Sequence, residues 1–217
     1  MVFTYNPPTT PMLDVVFEDD CLLVLNKPPG LLSVPGRLAE HSDSLQLRAQ
    51  KDYPDALTVH RLDMETSGLI VMAKGKIVHR NISRQFQDRL THKIYIARVD
   101  GLIEQDEGLV DLPLICDWPN RPRQMVDHDV GKPSQTKWQV LARADEETRL
   151  KLIPITGRSH QLRVHCQSLG HAILGDNLYA GKDAIECVDR LMLHAQSLTL
   201  NHPATNSPIT FKSKAPF

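Results

Sequence analysis

The stretch VHRLDMETSGLI, residues 59–70, decides how the rest of the chain is interpreted. A polar segment, HRLD at 60–63, is followed by TSG at 66–68 and by the apolar run LIVMA at 69–73. The apolar run is short and contains β-branched residues, which predicts a buried strand. The glycine after two hydroxyl residues predicts a turn that leads into this strand. We therefore expect Asp63 on a loop at the edge of a sheet, where proteins often place reactive groups.

Spacing alone gives Asp63 two interpretations. Its carboxylate lies between Arg61 and His60 on one side and the TSG turn on the other, and nearby positive charge favours the ionised form. An ionised, fixed carboxylate suits a catalytic role. Alternatively, Asp63 only turns the chain, and Arg61 is its solvated partner.

Length and composition describe an ordinary globular protein. The chain has 217 residues, of which 41% are hydrophobic and 24% charged, enough for one large domain or two small ones. Its apolar runs reach about five residues, far fewer than the ~20 of a membrane helix, and no secretory signal pattern opens the chain. The four cysteines are scattered without metal-like spacing, which predicts reduced thiols in a cytoplasmic protein.

Charge is distributed unevenly along the chain. The net charge is −1, which argues against a protein that coats nucleic acid indiscriminately. Between residues 74 and 93, however, the basic side chains outnumber the single acid, Asp88; they are Lys74, Lys76, Arg80, Arg84, Arg89 and Lys93. This pattern suits a focused basic face that binds one shaped RNA. The alternative is the solvated face of an ordinary helix.

The secondary-structure pattern predicts an α+β fold. Residues 1–13, with three prolines, are expected to form an irregular arm, and residues 14–217 a single domain. Strands are predicted at 15–17, 22–25, 69–73, 92–101, 138–143, 149–155 and 208–212. Helices are predicted at 44–52, with Leu45 and Leu47 partly buried, at 77–89, and from an N-cap at Ser159 to Gly170. So many strands with three helices favour α+β over a doubly wound α/β fold.

Residues 108–137 are predicted to be irregular and to contact RNA. This segment is rich in proline and in basic residues, and it contains Trp118, Arg121 and Arg123. Cationic side chains beside an aromatic ring suit a loop that holds looped RNA by phosphate contacts and base stacking. A plain connecting hairpin is the alternative.

Four motifs together resemble the RluA family of pseudouridine synthases. They are NKPPGLLSVPG (26–36), HRLDMETSG (60–68), KIYIARVDG (93–101) and TGRSHQLRVH (156–165). The resemblance covers nearly the whole chain from about Val15. It implies one catalytic domain on a long, bent, mostly antiparallel sheet flanked by helices and loops, with a central active-site cleft. Many members of the family carry a small RNA-binding module ahead of the catalytic domain, and we expect this chain to have no separate N-terminal RNA-binding module.

The same resemblance implies isomerisation of uridine to pseudouridine in RNA, without cofactor or metal. Asp63 would be the catalytic carboxylate, and Arg163 would pair with it and keep it ionised. Tyr95 would stack on the uracil and assist a late proton removal, although a tyrosine on a strand is often just a packed ring. Because the target base must leave its stack, we hypothesise that Arg61 fills the gap. The implied substrate is a short hairpin, as in a tRNA anticodon arm or 23S rRNA, bound by a monomer.

Two rival functions use the same residues differently. A metal-dependent nuclease built on Asp63 would need two or three converging carboxylates, and the sequence contains no such cluster. A catalytically inactive RNA-binding module would be expected to lack Asp63, Tyr95 or Arg163, and all three are present.

Overall fold

The fold is that of a computed structural model, which describes residues 5–217. Its strands are, in chain order, β1 (Val15–Glu18), β2 (Leu22–Lys27), β3 (Ala56–Thr58), β4 (Ser67–Lys74), β5 (His92–Asp100), β6 (Glu107–Asp111), β7 (Leu114–Cys116), β8 (Gln124–Val126), β9 (Gln135–Ala144), β10 (Glu147–Pro154), β11 (Leu193–Asn201) and β12 (Pro208–Lys212). Its α-helices are α1 (Leu45–Asp52), α2 (Gly75–Gln87), α3 (Gln161–Ser168) and α4 (Lys182–Glu186). Residues 5–13 contain neither helix nor strand, and residues 1–4 of the predicted arm lie outside the described residues.

The chain divides into two compact units. The first comprises the described residues up to His92 together with Ala195–Pro216, and the second comprises Lys93–His194 with Phe217. No helix within residues 5–217 is long and apolar enough to cross a membrane.

Strand β4 lies at the heart of the first unit. It pairs antiparallel with β2 and with β3, while β1 pairs with β2 and β12 with β11. Leu69 and Val71 pack with Ile82 of α2, whereas Ile70 and Met72 pack with α1. Successive side chains of a strand point to opposite faces, so both faces of β4 are covered. This two-sided burial explains why its sequence is continuously apolar rather than alternating.

The second unit is built on the antiparallel series β5–β10–β9–β6, with β7 and β8 as a separate two-stranded hairpin. Along β10, buried residues alternate with half-buried ones, and Leu150 and Leu152 enter the core. Leu162 and Cys166 of α3 lie one helical turn apart and pack in the same cluster. The α+β prediction is confirmed, with antiparallel strands in both units and helices packed against them.

Three sequence predictions need correction. Residues 108–137 are not irregular throughout, because they contain β7, β8 and most of β6. Helix α3 begins after His160 (φ 51°) rather than after Ser159, and the Gln161 side chain accepts the Arg158 N–H at 3.0 Å. Leu47 is exposed, since Leu45 and Ala49, four positions apart, are the residues of α1 that face the core.

Candidate active site

Asp63 lies half-buried on the loop between β3 and β4, and the backbone on both sides of it is held in place. The Ser33 hydroxyl donates to the Leu62 carbonyl at 2.7 Å and accepts the Leu62 N–H at 3.1 Å. The Met64 carbonyl accepts Lys27 Nζ at 2.7 Å and the Gly30 N–H at 3.0 Å. Ser33, Lys27 and Gly30 all belong to the NKPPGLLSVPG segment. That segment therefore fixes the residues immediately before and after Asp63.

Lys27 is the centre of this support. Its side chain is fully buried, and its ammonium also donates to the carbonyls of Pro28 at 2.8 Å and Leu31 at 2.7 Å. An ammonium carries three N–H donors, which match the carbonyls of Pro28, Leu31 and Met64. The lysine thus joins its own loop to the Asp63 loop through main-chain oxygens.

His60 anchors the start of the Asp63 loop. Its Nε2 accepts the Val71 N–H of β4 at 3.0 Å, and its ring stacks on Phe86 of α2 with centroids 4.6 Å apart. A ring nitrogen that accepts an N–H carries no proton, so the imidazole is neutral in this contact. The sequence argument that His60 adds positive charge beside Asp63 is therefore wrong. Arg61 is exposed and makes no hydrogen bond to a residue that the structure describes.

Gly68 lies where the Asp63 loop joins β4, close to the backbone of β11. Its φ is +109°, and a Cβ at this position would lie 2.4 Å from the Ala195 carbonyl oxygen. A side chain would thus be strained and would also collide with β11.

Replacing Lys27 with Met should loosen the Asp63 loop. The variant keeps the buried stem but leaves three buried carbonyls without their donor, and each orphaned acceptor costs about 1–3 kcal/mol before relaxation. Loss of the buried charge offsets part of this cost, so we expect a net destabilisation of about 2–4 kcal/mol and reduced activity. Chemical denaturation and turnover of the folded variant measure the two effects. Lys51→Met, at an exposed lysine of α1, is the matched control; equal effects of both changes would contradict the supporting role.

Tyr95 and Lys93 share one face of β5 in the second unit, because they are two positions apart on a strand. Tyr95 is half-buried, lies opposite Leu152 of β10 and packs against the core of its unit. Burial lowers the pKa of the Lys93 ammonium. Bringing an anion such as a phosphate to Lys93 would favour its charged form again.

Arg163 is buried on α3 and forms a bidentate ion pair with Asp176. Its Nε donates to Asp176 Oδ2 at 2.7 Å and its Nη2 to Oδ1 at 2.6 Å. The Asp176 side chain is fully buried, and Oδ1 also accepts the N–H groups of Leu178 at 3.0 Å and Tyr179 at 3.2 Å. The sequence interpretation missed Asp176, which lies in the stretch HAILGDNLYA, residues 171–180. That Arg163 pairs with Asp63 and keeps it ionised stays a prediction.

Comparison with known proteins decides the family. Residues 21–168 match the model of the RNA pseudouridylate synthase family. The chain belongs to this family. It is 59% identical over 207 residues to the dual-specificity RNA pseudouridine synthase RluA of Vibrio parahaemolyticus, covering 93% of this chain and 83% of that protein. It is 56% identical over 214 residues to the RluA of Escherichia coli K12, covering 98% of each.

Solved structures agree with the family. Human RNA pseudouridylate synthase domain containing 1 superposes with a TM-score of 0.81 at 29% identity, over 98% of this chain and 87% of that one. Human RNA pseudouridylate synthase domain containing 4 gives 0.75 at 26% identity, over 94% and 88%. The predicted activity is therefore confirmed: the protein is an isomerase that converts uridine in RNA to pseudouridine.

For an RNA pseudouridylate synthase, the basic residues of α2 are candidate RNA contacts. Lys76, Arg80 and Arg84 recur every fourth residue and, with His79 and Ser83, help line an open groove of about 590 Å³. Four residues of helix advance about 6 Å, so the three cations form a ladder along the groove. Lys74 differs from them, because its ammonium donates to Glu18 at 2.8 Å and lies 5.2 Å from the Tyr53 ring centroid.

The β7–β8 hairpin carries the predicted aromatic and basic contacts of the synthase. At its tip, the exposed Arg121 guanidinium lies 4.8 Å from the ring centroid of Trp118, which is 65% exposed. Arg123 instead extends to the ring of Tyr179, with 5.4 Å between guanidinium and centroid. Trp118 and Arg121 thus form an exposed cationic and aromatic platform, and Arg123 lies at its base.

Among the described residues, Asp19, Cys21 and His202 place possible metal-ligand atoms within 4.8 Å of one another. The hydrogen bonds of these residues favour a structural role over metal binding. His202 Nε2 donates to Asp19 Oδ2 at 2.8 Å, and His202 Nδ1 accepts the Ala204 N–H at 3.3 Å. A metal at Nε2 would require the opposite ring tautomer. The group does not include Asp63.

Proposed function

We propose that Asp63 is the catalytic carboxylate of this synthase. The observation that supports the proposal is the double clamp on Leu62 and Met64, which fixes the backbone on both sides of Asp63. Catalytic groups need such fixed placement, because small displacements from the reacting atoms cost large factors in rate. Arg163 keeps the carboxylate ionised, Tyr95 stacks on the uracil, and Arg61 occupies the space that the flipped base leaves.

The reaction requires only rearrangement within one nucleotide. The bond between N1 and C1′ breaks, the uracil turns, and a bond between C5 and C1′ forms. The proton on C5 is then removed, and N1 ends with a proton, so atoms and electrons balance without an external oxidant or cofactor. Tyr95 is our candidate for assisting the loss of the C5 proton.

We further propose that the substrate is a short RNA hairpin. The curated relatives are named dual-specificity synthases, and we infer two targets here, a tRNA anticodon arm and a hairpin of 23S rRNA. Loop bases are already partly unstacked, so they are cheaper to flip than bases in a duplex. The proposed RNA contacts are Lys74, Lys76, Arg80, Arg84, Lys93, Trp118, Arg121 and Arg123. In this proposal residues 14–217 act as one catalytic domain, in a cytoplasmic monomer and without a cofactor.

The direct test is to offer the purified protein an isolated anticodon-type hairpin beside intact tRNA and 23S rRNA. Pseudouridine is measured in each RNA by chemical mapping at single-nucleotide resolution. We expect the hairpin to be modified at a rate similar to that of the intact tRNA. Modification of the intact RNAs alone would mean that distant contacts select the target, and it would overturn the hairpin proposal.

Replacing Arg80 with Ala should weaken RNA binding without changing which uridine is modified. A cation that contacts phosphate releases about one counterion on binding, so its loss should reduce the slope of log K against log salt by about 1. Binding isotherms at several salt concentrations measure this slope. Lys182→Ala removes an exposed cation on α4 and should leave the slope unchanged. A shift in the modified position with Arg80→Ala would contradict a role limited to phosphate contact.

A further inference from the structure

Tyr179 joins two parts of the second unit through one hydroxyl group. Its side chain is buried, and its oxygen accepts the backbone N–H of Gln124 in β8 at 2.7 Å. The same oxygen lies 2.7 Å from Nδ1 of His160, the residue that precedes α3. The hydroxyl therefore ties the hairpin that carries Trp118 to the start of the helix that carries Arg163.

The ring of Tyr179 contacts two arginines. The guanidinium of Arg123, from the hairpin, lies 5.4 Å from the ring centroid, and that of Arg163 lies 5.1 Å from it. Cation–π contacts of this length are stabilising, more so where water is excluded. Asp176 adds a second link, because Oδ1 accepts both the Tyr179 N–H and Nη2 of Arg163. The position of Tyr179 thus bears directly on the orientation of Arg163.

Apolar contacts complete the junction. Tyr179 clusters with Leu114 of β7 and Val164 of α3, and Val126 of β8 packs against them. Strands β7 and β8 share only three residue pairs, and a two-stranded hairpin this short is not stable by itself. The hairpin must therefore be held by its neighbours, and Tyr179 and α3 supply such contacts beside the backbone bridge from Leu114 to Lys132.

We propose that Tyr179 is a positioning residue, which fixes the RNA-contacting hairpin to the helix of Arg163. The inference rests on the proposed function, in which the hairpin tip contacts RNA and Arg163 serves the reaction. The two halves of the side chain have separable roles. The hydroxyl fixes the position of the hairpin and so affects the affinity for RNA. The ring fixes the orientation of Arg163 and so affects the turnover rate.

Tyr179→Phe and Tyr179→Leu separate these roles. The Phe variant keeps the ring but loses one or two hydrogen bonds, so we expect KM to rise about three- to tenfold while kcat changes less than about twofold. The Leu variant also removes the ring from Arg163, and we expect kcat to fall by about tenfold or more. Thr199→Val is the control, since it also removes one hydroxyl, which contacts the Thr210 hydroxyl at an exposed site of the first unit. It should leave both kinetic constants unchanged.

A double-mutant cycle with the hairpin tip makes the test decisive. In a Trp118→Ala/Arg121→Ala background the hairpin tip no longer contacts RNA, so adding Tyr179→Phe should raise KM much less than it does in the wild type. Steady-state kinetics is run on an RNA that the wild type modifies, and thermal unfolding is recorded for every variant. The inference would be overturned if Tyr179→Phe raised KM equally in both backgrounds. It would also be overturned if the Tyr179 variants lost kcat and kcat/KM equally and only in proportion to their lost stability. The Trp118→Ala/Arg121→Ala variant tests the RNA contact by itself: an unchanged KM there contradicts the proposed function of the tip instead.

Discussion

Replacing Asp63 with Asn is expected to abolish pseudouridine formation while the RNA still binds. Asparagine has the size of aspartate, and Ser33 and Lys27 hold the loop by the backbone carbonyls of Leu62 and Met64, so the loop should keep its shape. The variant loses the negative charge, which any role of this carboxylate in the reaction needs. We expect the rate to fall by at least about 10³-fold, within the range for loss of a group that acts directly in the chemistry.

The matched control lies two residues further along the same loop. Glu65→Gln makes the same change from carboxylate to amide at another half-buried position and should remain active. Single-turnover assays with excess protein measure the chemical step, and fluorescence anisotropy with labelled RNA measures binding, which should stay within about threefold of wild type. If Asp63→Asn turned over at a rate near that of wild type, the catalytic assignment would be wrong.

The fold could be predicted where the local pattern was strong. The apolar run at 69–73 indicated a buried strand, and the structure shows β4 covered on both faces by α1 and α2. The strand at Pro208–Lys212 lies where the sequence placed it. A connecting hairpin was one of two interpretations of residues 108–137, but its strands at Leu114–Cys116 and Gln124–Val126 could not be located, because each has only three residues. Such strands are too short for a two-residue period to be recognised, and the contacts that hold them, with Tyr179, α3 and Lys132, lie outside their own sequence.

The residues of the candidate site could be predicted from the sequence, but the contacts that support them could not. Asp63, Tyr95 and Arg163 were selected because their motifs resemble a family, and the membership is confirmed. The supports of these residues could not be predicted from local pattern. Lys27 contacts the Met64 carbonyl 37 residues away, and no local pattern shows that a lysine will be buried against carbonyls. The neutral state of His60 likewise depends on its contact with the Val71 N–H, which only the folded chain reveals.

Asp176→Asn is expected to lower both the stability and the activity of the protein. Asp176 and Arg163 form a buried ion pair, and removing one partner of such a pair costs about 3–5 kcal/mol because the other charge stays buried. Asparagine can still accept the N–H groups of Leu178 and Tyr179, so the turn should persist. Its amide N–H₂, however, cannot accept from the guanidinium, and Arg163 should lose its fixed orientation. Denaturant titration measures the stability, with Asp183→Asn, an exposed carboxylate on α4, as control.

A second substitution separates the structural part of this effect from the catalytic part. Arg163→Gln in the Asp176→Asn background replaces the orphaned charge with a neutral amide that can hydrogen bond to its neighbour. The double variant should therefore recover much of the lost stability, about 2 kcal/mol or more. Its activity should not recover, since a neutral side chain cannot hold a catalytic carboxylate ionised. Recovery of both properties would show that the buried pair serves only the fold, and would remove Arg163 from the reaction.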